Sequence, residues 1–125
     1  MCSSDLLVVA WLRAAGWVVV ARSERVGRDE LDIVAIDPGP PAVLVVVEVR
    51  SAASGRFGAP EEKLAGMKIA RTWRGALGLI RAGRLADGRV LPRLPWRVDA
   101  ILVVRDRPDG APRVRHVRGV APERP

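Results

Sequence analysis

Two acids and a base stand at chemically useful spacing. Asp32 lies near the start of one apolar, β-branched run, R-D-E-L-D-I-V-A-I-D, and Glu48 lies near the end of another, A-V-L-V-V-V-E-V-R, with Arg50 two residues on. The P-G-P-P tract between the runs is turn chemistry, so the two read as a hairpin. With the turn centred near Gly39 and Pro40, Asp37 faces Val43 and Asp32 faces Glu48. Directly opposed residues on antiparallel strands share a face, with Cβ atoms roughly 5 Å apart. Alternation puts Arg50 on the face of Glu48, and the same register sets Glu30 opposite Arg50. Two neighbouring carboxylates repel unless something neutralises them. A divalent cation does so, and oxygen donors suit Mg²⁺ or Mn²⁺. A hard cation beside a basic residue is a common way to activate water against a phosphodiester. The same spacing also fits a surface hairpin whose charges mark solvated strand ends, and a slip of one residue would scatter the cluster.

The elements that must position these residues follow from pattern. Ser3-Ser4-Asp5 caps a helix over roughly residues 5–15, which Gly16 stops, with Leu7, Ala10, Trp11 and Ala14 as its expected buried stripe. Trp17 to Ser23 reads as a strand, Val26 to Asp29 as a turn or bulge, and the hairpin strands run near 30–37 and 42–50. Both faces of the hairpin strands are apolar, as for central strands covered on both sides. Residues 51–60 form a Gly-containing loop, and Pro60 starts a long helix to about Ala82 with Glu61 and Glu62 in its first turn. At ~100° per residue, Ile69, Ala70, Trp73, Ala76, Leu77 and Ile80 form an inner face, while Lys63, Lys68, Arg71, Arg74 and Arg81 form a basic stripe. Such stripes are commonly just solvated, but the lack of interleaved acids after Glu62 tilts this one toward phosphate contact. Arg97 to Arg105 is a further strand carrying Asp99, which needs a basic partner such as Arg97 if buried. Arg113 to Val120 alternates as an edge strand does.

The order α-β-β-β-α-β-β implies an α/β fold with helices on a mixed sheet, whose strands before and after the long helix pair in parallel. The 125 residues suffice for one domain, here taken as 1–120, with 121–125 as a tail. A net charge of +7 favours a polyanionic partner, nucleic acid before anionic membrane. The single cysteine, Cys2, excludes a disulfide within the chain, and the apolar runs are too short to span a bilayer. A cytoplasmic protein is expected. Of the four tryptophans, Trp96, between Arg93 and Arg97, is the one expected to be free for base stacking.

Taken together, the motifs E-L-D-I-V-A, V-V-V-E-V-R, F-G-A-P-E-E, K-I-A-R, R-V-D-A-I-L-V and the late His116 resemble the YraN family of bacterial proteins over nearly the whole chain. Members of that family are predicted endonucleases, distantly similar to archaeal Holliday junction resolvases. The resemblance implies a restriction-endonuclease-like fold and a D…E-x-K type centre made by Asp32, Glu48 and position 50. By the same resemblance Asp32, Glu48 and the Val49 carbonyl would hold Mg²⁺ or Mn²⁺, with Asp5 in place of a glutamate on the first helix. Lys63, Lys68, Arg71 and Arg74 would contact DNA, Glu30, Glu62 and Asp99 would support the site, and resolvase-like relatives imply a homodimer. His116 matches the family but is read as structural. Asp29 stands where glycine is usual, and two departures weigh against activity: Arg50 stands where lysine is usual, and Asp5 is shorter than the usual glutamate. Arginine stays protonated and cannot act as a general base. It can orient water, or form a fork with Glu30 that leaves the site inert. Two alternatives to an enzyme therefore stand, a nucleic-acid-binding module without catalysis and an adaptor for an acidic protein.

Overall fold

A computed structural model describes residues 3–52 and 69–122. Its elements are α1 (Ser3–Ala14), β1 (Val18–Val26), β2 (Asp29–Asp37), β3 (Val43–Ala52), α2 (Ile69–Ala82), β4 (Trp96–Val104) and β5 (Arg113–Val117). The expected Pro60 start of the long helix, together with Glu62, Lys63 and Lys68, lies outside the described residues. The five strands form one mixed sheet in the order β1-β2-β3-β4-β5. β1, β2 and β3 are a meander of antiparallel pairs, β3 and β4 pair in parallel, and β5 returns antiparallel at the far edge.

The β2–β3 ladder runs from Asp37↔Val43 to Ile33↔Val47. This is the register expected from the turn, and one further step along it sets Asp32 opposite Glu48. Gly39 makes that turn with φ 61°, and its N–H donates to Oδ1 of Asp37 at 3.0 Å.

Each helix covers one face of the sheet, and burial of the apolar strand faces is what holds the layers together. On the α1 side, Val8, Val9, Leu12 and Trp17 pack with Ile33, Ala35, Val45, Val47, Val49, Ile101 and Val103. On the α2 side, Ala76 and Leu79 pack with Leu31, Val34, Leu44, Val46 and Val98. The stripe expected for α1 is rotated: Val8, Val9 and Leu12 are buried, whereas Ala10, Trp11 and Ala14 are exposed and Leu7 is half-buried. Leucine and valine at those positions bury more apolar surface than the alanines would. Gly16, at φ 89°, ends the helix as expected.

The inner face of α2 also differs from the expected one. It buries Ile69, Thr72, Gly75, Ala76 and Leu79, while Ala70 and Leu77 are exposed. Small residues win because the helix lies tight on β2. A Cβ on Gly75 would fall 2.8 Å from Cδ2 of Leu31 and 3.4 Å from Cβ of Asp29.

β2 does not alternate cleanly. Leu31 and Val34, three positions apart, both face α2, while Ile33 faces α1. The phase slips at Asp32. In β1 the facing position is Ser23, between the pairs Arg22↔Ile33 and Glu24↔Leu31, and it takes the left-handed conformation at φ 49°.

Asp99 is fully buried on the α1 side of β4 and finds the partner expected of it, and more. Arg97 donates to it through Nε at 2.9 Å and Nη2 at 3.2 Å, the main-chain N–H of Gly119 donates at 3.0 Å, and Nε2 of His116 lies 2.8 Å away. Arg97 also donates to Asp37 at 2.9 Å, joining β4 to the hairpin. Asp99 therefore supports the fold at a place removed from the acid pair, and His116 is structural. No described helix is long and apolar enough to cross a membrane.

Candidate active site

Asp32, Glu48 and Arg50 line one cavity of about 210 Å³, together with Arg28, Asp29, Glu30, Arg71 and Thr72. The strand carrying Glu48 sits between β2 and β4, so the site rests on the rigid centre of the sheet. The β1–β2 turn at Arg28 and the described start of α2 contribute to its wall.

Each acid is fixed by a donor. The N–H of Val49 donates to Oδ2 of Asp32 at 2.8 Å, crossing from one strand to the other where their ladder ends. The hydroxyl of Thr72 donates to Oε2 of Glu48 at 3.0 Å. Nη2 of Arg50 lies 3.2 Å from Oε1 of Glu48. Burial pushes the Glu48 carboxyl up to about 7, and the adjoining Asp32 charge adds to the rise; Arg50 and the Thr72 hydroxyl pull the other way. Below about pH 7 Glu48 thus keeps a proton, in a place where a cation would serve as well.

Two carboxylates offer oxygen donors of the kind a hard divalent cation takes. Among the described residues no group of three or more His, Cys, Asp or Glu side chains converges. A cation here would draw on the two carboxylates and complete its shell with main-chain carbonyl and water oxygens, as Mg²⁺ commonly does.

Several expected roles change. Arg50 pairs with Glu48 rather than forming a fork with Glu30, because Glu30 turns toward Arg25 on β1 at 4.0 Å. Arg74 already has an acidic partner. It forms a two-bond fork on Asp29, at 2.9 and 2.5 Å, and that bond holds the Asp29 carboxyl below the usual range. Arg71, one turn earlier, does reach the cavity. Asp5 is buried in the first turn of α1 and does not line the cavity, since α1 covers the opposite face of the sheet from α2. Lys63, Lys68 and Glu62 lie outside the described residues. Trp96 packs on Trp73 with ring centroids 5.0 Å apart, so it is not the free tryptophan.

Sequence reasoning missed Thr72 and Arg28. A lone hydroxyl among apolar neighbours on the inner face of a helix was the available sign for Thr72. Arg28 had none beyond its place in the turn before Asp29.

The family model of the uncharacterised protein family UPF0102 matches residues 5–103. A UPF0102 protein of Beutenbergia cavernae is 41% identical over 110 residues, covering 88% of this chain and 85% of that one. One from Arthrobacter sp. (strain FB24) is 35% identical over 114 residues, covering 91% and 88%. A third, from Anaeromyxobacter dehalogenans, is 36% identical over 112 residues, covering 90% and 75%. The match takes in both strands of the hairpin, the helix bearing Thr72 and most of β4, so the chain belongs to the UPF0102 (YraN) family.

Proposed function

We propose that this protein is a metal-dependent endonuclease acting on structured or branched DNA, in the manner of a Holliday junction resolvase, and that its sheet is of the restriction-endonuclease-like kind. The observation that carries the reading is the acid pair: Asp32 and Glu48 meet in one cavity with the guanidinium groups of Arg28, Arg50 and Arg71. Carboxylates suited to a cation, ringed by cations suited to phosphate, are the ingredients of phosphodiester hydrolysis.

Bound Mg²⁺ or Mn²⁺ would polarise the scissile phosphate and acidify a water. The chain's own residues do the rest. Val49 fixes one oxygen of Asp32, and Thr72 fixes one of Glu48. Arg28 and Arg71 hold the backbone phosphates on either side of the cut. Arg50 keeps its charge at every relevant pH and stabilises the charge that builds on the pentavalent phosphorus. A homodimer would offer two such cavities to a four-way junction.

The test is cleavage of a panel of branched, flapped and single-stranded DNA with Mg²⁺ or Mn²⁺. Cutting that disappears in Asp32→Ala and Glu48→Ala is expected. Wild-type protein that cuts no member of the panel with either metal overturns the enzymatic reading.

A second reading has its own observation. The 3.2 Å contact of Arg50 with Glu48 supplies a positive charge where a cation would otherwise sit. On that reading the protein binds nucleic acid without cutting it, and binding is salt-sensitive with no turnover.

A further inference from the structure

We propose that the groove beside Trp11 binds single-stranded nucleic acid, as a site separate from the acid pair. It shares with the preceding reading only the class of ligand. The groove has a volume of about 720 Å³ and is lined by Trp11, Arg107, Arg113 and Arg115, with Val104 and Val114 among the apolar residues of its wall. That volume lies within the roughly 300–1,000 Å³ of ordinary ligand sites.

Trp11 is the exposed tryptophan of this chain at 38%, against 6% for Trp17. Its ring is held in place. His116 meets it edge-on with centroids 5.6 Å apart, and Asp99 in turn holds His116 at 2.8 Å. An indole fixed this way loses little freedom when a base stacks on it. Arg113 is anchored as well, donating to Asp106 through Nε at 2.8 Å and also through Nη2. A guanidinium has five N–H groups, so this fork leaves others for a second acceptor. On the edge strand β5, Arg113 and Arg115 alternate with Val114 and His116, so they border the groove from across the strand while Trp11 borders it from the α1 side. A strand laid along this edge would set phosphate on cation and base on ring. The groove is concave, which suits a nucleotide better than a bilayer surface.

Trp11 belongs to α1, whereas the acid-pair cavity is lined from α2 by Arg71 and Thr72. The groove follows the free β5 edge, whereas the acid pair lies on β2 and β3, with β4 between them, so cleavage and strand binding are separable readouts.

The experiment measures binding of a short labelled oligothymidylate by the full chain, by fluorescence anisotropy in EDTA. Trp11→Leu should weaken binding roughly tenfold or more, while Trp11→Phe, which keeps a ring, should recover most of it. Arg107→Gln should weaken binding and lower the salt slope by about one. Arg107 is exposed, so this variant serves even if Trp11→Leu fails to fold. Arg84→Gln, on the connection after α2, is the control and should bind as the parent does. The proposal is overturned if Trp11→Leu (once folded) and Arg107→Gln bind within twofold of the parent. Equal losses in Arg84→Gln and Arg107→Gln, or equal competition by polyglutamate and by the oligonucleotide, overturn it too, since general charge would then suffice.

Discussion

Thr72 on α2 and Glu48 on β3 meet through a hydroxyl-to-carboxylate bond of 3.0 Å, and that bond joins the α2 layer to the acid pair. Glu48 keeps its proton up to about pH 7, chiefly because it is buried and secondly because Asp32 is adjacent. An unfolded chain releases the same proton near the ordinary glutamate value of 4.5. The folded state therefore binds more protons between those values, and the metal-free protein loses stability as pH rises through that window. In Glu48→Gln this loss should vanish. Urea unfolding in EDTA at about pH 5 and about pH 8 checks it, and a slope unchanged in the variant would refute it.

Arg50→Lys separates the two functional readings. A lysine is a compact charge whose pKa moves with its surroundings, unlike arginine. If the arginine has degraded the site, Mn²⁺-dependent cleavage rises on the order of tenfold or more in the variant. If cleavage falls instead, Arg50 is a working part of the enzyme.

Gly75→Val should destabilise the protein by about 1–3 kcal/mol. The first added carbon already meets Cδ2 of Leu31 at 2.8 Å, and Leu31 is itself buried. Gly75→Ala should come closer to neutral, because alanine gains up to about 1 kcal/mol in helix propensity. Chemical denaturation of the two variants beside the parent gives the ordering.

Asp99→Ala should cost about 3–5 kcal/mol, since it strips a buried network of its acceptor and leaves Arg97 with Asp37 alone. A lowered thermal midpoint with the fold retained is the expected measurement. Burial alone would raise the Asp99 and Asp37 carboxyls. Hydrogen bonds outweigh it, from His116, Arg97 and Gly119 to Asp99 and from Gly39 and Arg97 to Asp37, so both are held below 3.8. Their contribution to stability is present above that pH and is lost as pH falls through the lowered values.

The hairpin was readable because a Pro/Gly turn and two β-branched runs leave few registers, and the pairing Asp37↔Val43 is the one found. The parallel β3–β4 pair was readable from the crossover rule. What pattern did not reveal is where size and partner choice decide. Gly75 and Thr72 face inward because α2 lies tight on β2 and bonds Glu48, and neither fact is visible in hydrophobic periodicity. Arg74 looked like its neighbour Arg71 in the helical stripe, yet Asp29, distant in sequence, claims it. The exposed tryptophan is Trp11 and not Trp96, because Trp73 covers Trp96.

The broken alternation at Asp32 makes its carboxylate's heading a property of the main chain rather than of a rotamer. Ser23 and Asp32 act as a pivot, on either side of which the β1–β2 ribbon presents opposite edges to α2. Val34 and Ile36 share the α2 face with Asp32, so the inner half of the ribbon aims the acid, while the outer half, from Leu31 on, meets α2 in the other phase. A change of ribbon length between the acid and the Pro/Gly turn would reverse every apolar position in that stretch, so the core that sets those facings also guards the pair.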